Sequence, residues 1–321
     1  MKNKVSEGIV AALWSPTDAE GHLIKSALKS NIDFLKKSGI NAILALGSTG
    51  EFLRLDLAER KRLVEHAIKY ADGLPVMVNI TDTRPVVVTD LGKFAEKAGA
   101  AGVALMAPCF YPLSQTDMAE WFVRAAERIN LPFFLYNFPE RTGCRIGPET
   151  VAAVADRVSV AGIKQSGAEF EYHRELIKLG REKNFKVFTG SDTRIAEAMR
   201  LGADGCIGGL ANGIPDLMAH MFRAIKHRDT KQVQFIGSRI SEVGEKVGRL
   251  EFPLNVAALM EAREQRPGYP KLPVSSETKA RYAALVKDLR SLFKSWGLPA
   301  PGSTINADKQ TPRASHLQLA S

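Results

Sequence analysis

Eight short apolar runs, each followed by a stretch with helical periodicity, constrain this chain more than any other feature. The runs fall near Gly8–Leu13, Ala42–Leu46, Val76–Asn79, Gly102–Met106, Phe133–Tyr136, Val160–Lys164, Lys186–Phe188 and Gly205–Ile207. None alternates apolar with polar residues, as a half-exposed strand does, so they read as parallel strands covered on both faces. Between them lie amphipathic helices, for example Leu23–Lys37, Asp56–Tyr70, Val86–Ala98 and Met118–Ile129. Eight such βα units suit a closed (β/α)8 TIM barrel. An open doubly wound sheet shares the alternation, but the first strand is not followed by the Gly-x-Gly-x-x-Gly turn of its dinucleotide-binding form.

From about Thr230 the pattern becomes all-helical, with helices expected at Gln232–Val247, Asn255–Arg263 and Ser276–Ser295. The expected organisation is a barrel carrying the active site over residues 1–229 and a three-helix C-terminal extension over 230–296. A polar, mobile tail is expected over 297–321. Asp56 stands three residues before Glu59, the spacing of a reciprocal helix cap. Gly39, Gly99 and Gly202 read as helix C-terminal glycines.

Lys164 is the chemical anomaly. It closes the apolar run Val158–Ile163, where a charged residue needs a reason. A lysine there can snorkel into water. It can also serve as an amine nucleophile, because burial favours the neutral form that attacks a carbonyl. Three other strand ends carry matching chemistry. After the second strand comes Gly47-Ser48-Thr49-Gly50-Glu51, whose N–H groups and hydroxyls can hold a carboxylate. The fifth strand ends at Tyr136, a candidate proton relay, followed by Asn137 and the loop Pro139-Glu140-Arg141-Thr142-Gly143. Arg141 can grip a second carboxylate with two parallel hydrogen bonds. The eighth runs through Ile207 into Gly208-Gly209. Each feature alone is an ordinary turn, packing residue or surface charge; together they mark one rim.

Composition narrows the function classes. The chain has 321 residues, 45% hydrophobic and 25% charged, the profile of a globular protein. No apolar run is long enough to span a membrane, and Met1–Glu7 shows no signal-peptide core, so no membrane association is expected. The net charge of +9 is spread along helices without a basic stripe, which argues against nucleic acid and for a mild attraction of anionic substrates. Cys109, Cys144 and Cys206 show no pairing or metal spacing, as in a reducing cytoplasm. His22, His66, His173, His220, His227 and His316 form no ligand cluster, so no metal is expected.

The four motifs Gly47–Glu51, Tyr136–Gly143, Gly162-Ile163-Lys164-Gln165 and Gly190-Ser191-Asp192 resemble those of the dihydrodipicolinate synthase / N-acetylneuraminate lyase family, from about Gly8 to about Leu292. The resemblance implies a class I pyruvate aldolase on a (β/α)8 barrel, with a lysine imine and no metal or organic cofactor. It implies that Lys164 forms the imine, that Tyr136 moves the proton of the departing aldehyde, and that Ser48, counted with them among the catalytic residues, binds the carboxylate together with Thr49 and the turn begun by Gly47. Ile207 would pack on the bound pyruvate and Arg141 would contact the acceptor. The partners would be a keto acid, an aldehyde and further copies of the chain, as a dimer of dimers.

One position departs from the family pattern. In Pro108-Cys109-Phe110-Tyr111-Pro112, Phe110 aligns with a relay tyrosine that reaches into a neighbouring subunit's site. Phenylalanine has no hydroxyl, so the relay requires Tyr111 or a water. This weakens a reading as 4-hydroxy-tetrahydrodipicolinate synthase, whereas Arg141 favours it. A sugar-acid aldolase, a 2-keto-3-deoxy sugar acid dehydratase and a non-catalytic keto-acid-binding barrel are the other readings.

Overall fold

The structure, a computed structural model, describes residues 5–298. Eight parallel strands, β1 (Gly8–Ala12), β2 (Ala42–Ala45), β3 (Val76–Asn79), β4 (Gly102–Met106), β5 (Phe133–Asn137), β6 (Val160–Gln165), β7 (Lys186–Thr189) and β8 (Gly205–Gly208), close into a barrel in sequence order. The first four are wrapped by α1 (Lys25–Lys37), α2 (Leu57–Ala71), α3 (Pro85–Ala98) and α4 (Gln115–Ala126). A one-turn α5 (Pro139–Thr142) precedes α6 (Pro148–Arg157); then come α7 (Tyr172–Lys183), α8 (Ile195–Leu201) and α9 (Pro215–Lys226). The chain is thus a (β/α)8 TIM barrel, as the apolar repeat implies. The strands are buried nearly throughout, on the barrel side and the helix side alike.

Three helices follow: α10 (Thr230–Val247), α11 (Leu254–Ala262) and α12 (Ser276–Ser295). Ile236, Ile240, Val243, Leu285, Leu289 and Phe293 of this extension share one buried cluster with the barrel core. Most of the segment expected to be a mobile tail, from residue 299 onward, lies outside the described residues. No helix among the described residues is long and apolar enough to cross a membrane.

Local chemistry accounts for the boundaries. Asp56 caps α2 by accepting from the Glu59 N–H at 2.7 Å. The expected reciprocal half of that cap does not form. Glu59 instead accepts from the Leu23 N–H at 3.1 Å and pairs with Arg62, a tertiary contact that outcompetes the local one. Gly39, Gly99 and Gly202 take positive φ at helix ends, where a side chain would be strained.

Barrel closure rests on β1 against β8, with Gly8 in register with Gly205. A Cβ on Gly205 would lie 2.0 Å from the Gly8 carbonyl oxygen, so no side chain fits at this seam. Gly205→Ala is therefore expected to cost about 2 kcal/mol or more of stability by overpacking, lowering the melting temperature by roughly 5 °C. The control is Gly237→Ala in α10, where the added methyl meets only the end of Met221 at 3.4 Å. It should leave stability unchanged or raise it, since alanine favours helix. Equal melting temperatures for the two variants would show that the seam tolerates a side chain.

Candidate active site

The pairing of β5 with β6 brings the two central residues together. The register runs Phe133 to Val160, then shifts so that Phe134 pairs with Gly162 and Tyr136 with Lys164. The extra residue is Ala161. Without it Tyr136 would register with Ile163, whose side chain points to the opposite face from that of Lys164. Gly162 makes this stretch possible: a Cβ there would lie 2.7 Å from the Phe134 ring.

At the strand ends, Lys164 is 5% exposed and its Nζ donates to the Tyr136 hydroxyl at 2.9 Å. The ammonium also lies 4.2 Å from the Tyr136 ring centroid, over its electron-rich face. The Tyr136 hydroxyl is 2.9 Å from Ser48 Oγ. Because Tyr136 accepts from Lys164, its own proton is free to point at Ser48. Amine, phenol and alcohol thus form one hydrogen-bonded chain from β6 through β5 to the turn after β2.

Thr49 is buried beside this chain and faces the end of β8, close to Gly209. Ile207 is buried in β8. Gly47 has ordinary φ, and a Cβ there would meet nothing nearer than 3.7 Å. The tight position is Gly50, where a Cβ would lie 2.8 Å from the Leu13 carbonyl oxygen. The left-handed residues of the turn are Leu46 and Glu51, not its glycines. The turn is held from outside: Asn79 Nδ2 donates to the Leu46 carbonyl at 2.8 Å, and the Glu51 carboxylate is paired with Lys271 and Arg54.

Asp192, quoted in the sequence only as part of a motif, is an unassigned member of the site. Its carboxylate is buried against β8, where a Cβ on Gly208 would lie 1.7 Å from Oδ1. The Gly209 N–H donates to Oδ2 at 3.2 Å, while Oδ1 has no partner among the described residues. Burial pushes its pKa up to about 6 against the opposing pull of Lys164 and backbone N–H groups. Burial and the Asp192 charge likewise push the Cys206 thiol well up, which keeps it an inert core group.

A cavity of about 190 Å³ opens from Ser48 toward solvent, lined by Thr81, Met106, Cys109, Arg54, Arg141 and Phe252 among others. Arg141 is exposed and stacks on two rings, 5.7 Å from the Phe138 centroid and 5.0 Å from that of Phe252. Arg54 and Phe252 carried no signal in the sequence, because nothing local marks a residue of the 3-10 turn Phe52–Arg54 or of the C-terminal extension as a cavity wall. A larger groove of about 410 Å³, lined by residues of α3 and α4, contains none of the strand-end residues. Phe110 and Tyr111 stand away from the hydroxyl chain, 84% and 70% exposed, packed edge to face on each other. Among the described residues no cluster of three histidine, cysteine or acidic side chains could hold a metal ion.

The sequence matches the dihydrodipicolinate synthetase family over residues 5–292. The chain belongs to that family. It is 32% identical to a 4-hydroxy-tetrahydrodipicolinate synthase of Pseudomonas aeruginosa, across 73% of this chain and 80% of the relative. It is 31% identical to Escherichia coli YagE, across 69% and 75%; the name of YagE assigns it provisionally to the 2-dehydro-3-deoxy-D-gluconate aldolases. The solved structure of YagE in complex with pyruvate superposes with a TM-score of 0.84 at 27% identity, covering 90% of this chain and 99% of that one. The chain is accordingly an enzyme, a lyase of the pyruvate-dependent class I aldolase type.

The burial of Asp192 gives a pH signature with a definite sign. Its folded-state pKa of about 6 lies above the ordinary 3.8, so the folded protein holds this proton more tightly than the unfolded chain. The contribution is fully present below about pH 4 and is lost as pH rises to about 6. Relative to wild type, Asp192→Asn should gain about 3 kcal/mol across that window, read by urea denaturation from pH 4 to 7. A stability difference that does not change with pH would mean that Asp192 ionises normally.

Proposed function

We propose that Lys164 forms an imine with the carbonyl carbon of a 2-keto acid, and that the enzyme makes or breaks a carbon–carbon bond to pyruvate. The observation that carries this reading is the chain Lys164–Tyr136–Ser48, with both links at 2.9 Å. The amine attacks the keto carbon and water leaves, giving a protonated imine. Tyr136 gives its phenol proton to the departing water; in the cleavage direction the resulting phenolate takes the proton of the 4-hydroxyl, the C3–C4 bond breaks, and an aldehyde departs. The bonding electrons collapse into the imine to form an enamine. Protonation at C3 and hydrolysis release pyruvate and free Lys164. Synthesis is the reverse. Ser48, Thr49 and the N–H groups of their turn receive the carboxylate, Gly47 begins that turn, and Ile207 packs against the methyl end.

The acceptor is proposed to be an aldehyde bearing a carboxylate or hydroxyls, of the sugar-acid type. Arg141 and Arg54 on the cavity wall supply cationic donors for it. The second reading, pyruvate condensing with aspartate semialdehyde, draws on the same Arg141. It is disfavoured by the loop Cys109–Tyr111, which presents Phe110 where a relay hydroxyl is expected. We assign Phe110 and Tyr111 to a contact with a second copy in a dimer of dimers, because two adjacent aromatic side chains this exposed suit an interface core.

Borohydride reduction in the presence of pyruvate should add one reduced-pyruvate mass to the peptide containing Lys164. Lys164→Ala should abolish the adduct, and Tyr136→Phe should cut turnover roughly 10²-fold or more. Trapping that persists in Lys164→Ala would sink the assignment.

Steady-state rates over sugar-acid cleavage and over condensation with aspartate semialdehyde separate the two readings. Synthase activity is expected to be weak, and Phe110→Tyr is expected to raise it. If Tyr111 supplies the missing hydroxyl, Tyr111→Phe should be as damaging as Tyr136→Phe. Efficient condensation that ignores Tyr111→Phe would establish the second reading.

A further inference from the structure

The C-terminal extension reaches the active site through a second buried lysine that the chemistry above does not use. Between α11 and α12 the chain returns over the barrel rim, and residues 267–271 are stitched to the segment after β1. Trp14 Nε1 donates to the Pro267 carbonyl at 2.7 Å, and the Tyr269 N–H donates to the Thr17 carbonyl at 2.7 Å. Lys271 Nζ donates to the Ser15 carbonyl at 2.8 Å. The same ammonium lies 3.1 Å from Glu51 Oε1, with both side chains almost wholly buried, at 3% and 6% exposure. It also sits 4.9 Å from the Trp14 ring centroid.

Glu51 is the last residue of the turn that carries Ser48 and Thr49. It holds φ of 57°, a left-handed conformation that a non-glycine residue keeps only when its surroundings enforce it. Its other oxygen pairs with Arg54. Glu51, Arg54, Phe252 and Pro253 form a shared wall: they line the cavity opening from Ser48 and also the cavity of about 600 Å³ that Lys271 lines on the other side. Burial pushes the lysine pKa down and Glu51 pulls it back up, so the charge depends on its partner.

We infer that Lys271 is a positioning residue for the reaction: by pinning Glu51 to the segment after β1, it holds the Ser48–Thr49 turn in the geometry that receives the keto acid carboxylate. A lysine that only filled space or stabilised the extension would sit anywhere along the strap. This one is placed on the single acidic residue of the substrate-binding turn. The inference rests on the imine reading of Lys164, and the test separates the two.

The experiment compares wild type, K271M and the double variant E51Q/K271M by steady-state kinetics in pyruvate, by the rate of borohydride trapping with pyruvate, and by thermal melting. K271M leaves a buried carboxylate without its cation and is expected to melt lower. The double variant removes both charges and should recover most of that loss, since replacing both members of a buried pair is often neutral. Its half-saturation for pyruvate should nevertheless stay roughly 10-fold or more above wild type, with trapping slowed to match, because a turn displaced by a fraction of an ångström loses that much. Recovery of melting temperature together with wild-type pyruvate dependence would reduce Lys271 to a structural role. Absence of trapping in the wild type itself would instead overturn the imine reading, and the pin with it.

Discussion

Everything at this site depends on the pairing that closes β1 on β8. An open sheet of the same strands would spread its C-terminal ends along an edge. Closure turns them inward around a common mouth, so residues from β2, β5, β6, β7 and β8 can meet. The seam is made by glycines because the two backbones approach too closely for a side chain. Glycine also recurs where a functional group must be admitted: Gly208 leaves room for the Asp192 carboxylate, and Gly190 for Ser166 beside Lys164.

Closure alone does not bring amine and phenol together. Strand registry has a period of two, so a side chain either faces its neighbour's partner or points away from it. The additional residue in β6 sets that parity, and Lys164 meets Tyr136 only because Ala161 is taken up in the irregularity. The resulting contact gives the ammonium a hydroxyl acceptor and an aromatic face while leaving it almost entirely out of water. An isolated charge in that position would be costly. The nearby Asp192 offers partial compensation, and the cost of burying it appears instead as its raised pKa.

The fold was legible because its cause is repetitive: eight buried strands with helices between them leave an apolar period that no local exception hides. The candidate residues stood out for the same reason, since Tyr136 and Lys164 lie near the ends of β5 and β6 and Ser48 follows β2, so the repeat places all three on one rim. What stayed hidden was whatever depends on contacts between distant segments. Gly47 and Gly50 were read as the residues that let the turn's N–H groups approach an anion; Gly50 is indeed closely packed, yet the left-handed residues are Leu46 and Glu51, held by Asn79 and Lys271. The reciprocal cap expected from Asp56 and Glu59 was half wrong because Glu59 had a better partner in the α1 approach. Asp192 was visible as a motif residue, but its burial against Gly208 belongs to the pairing of β7 with β8.

The wall of the cavity explains why the reaction class and the acceptor separate so cleanly. The hydrogen-bonded chain Lys164–Tyr136–Ser48 is built at strand ends, whose positions are fixed by the barrel. The outer wall comes from four unrelated segments: Arg54 in the turn before α2, Cys109 after β4, Arg141 in α5 and Phe252 before α11. None of these residues belongs to a strand, so the cavity wall can change without disturbing a strand register. Arg141 illustrates the point. Its guanidinium is held between the rings of Phe138 and Phe252, one from the barrel and one from the extension. In the proposed reaction a carboxylate-bearing aldehyde meets an arginine packed on rings from both parts of the chain, so the C-terminal extension reaches the cavity wall as well as the barrel core.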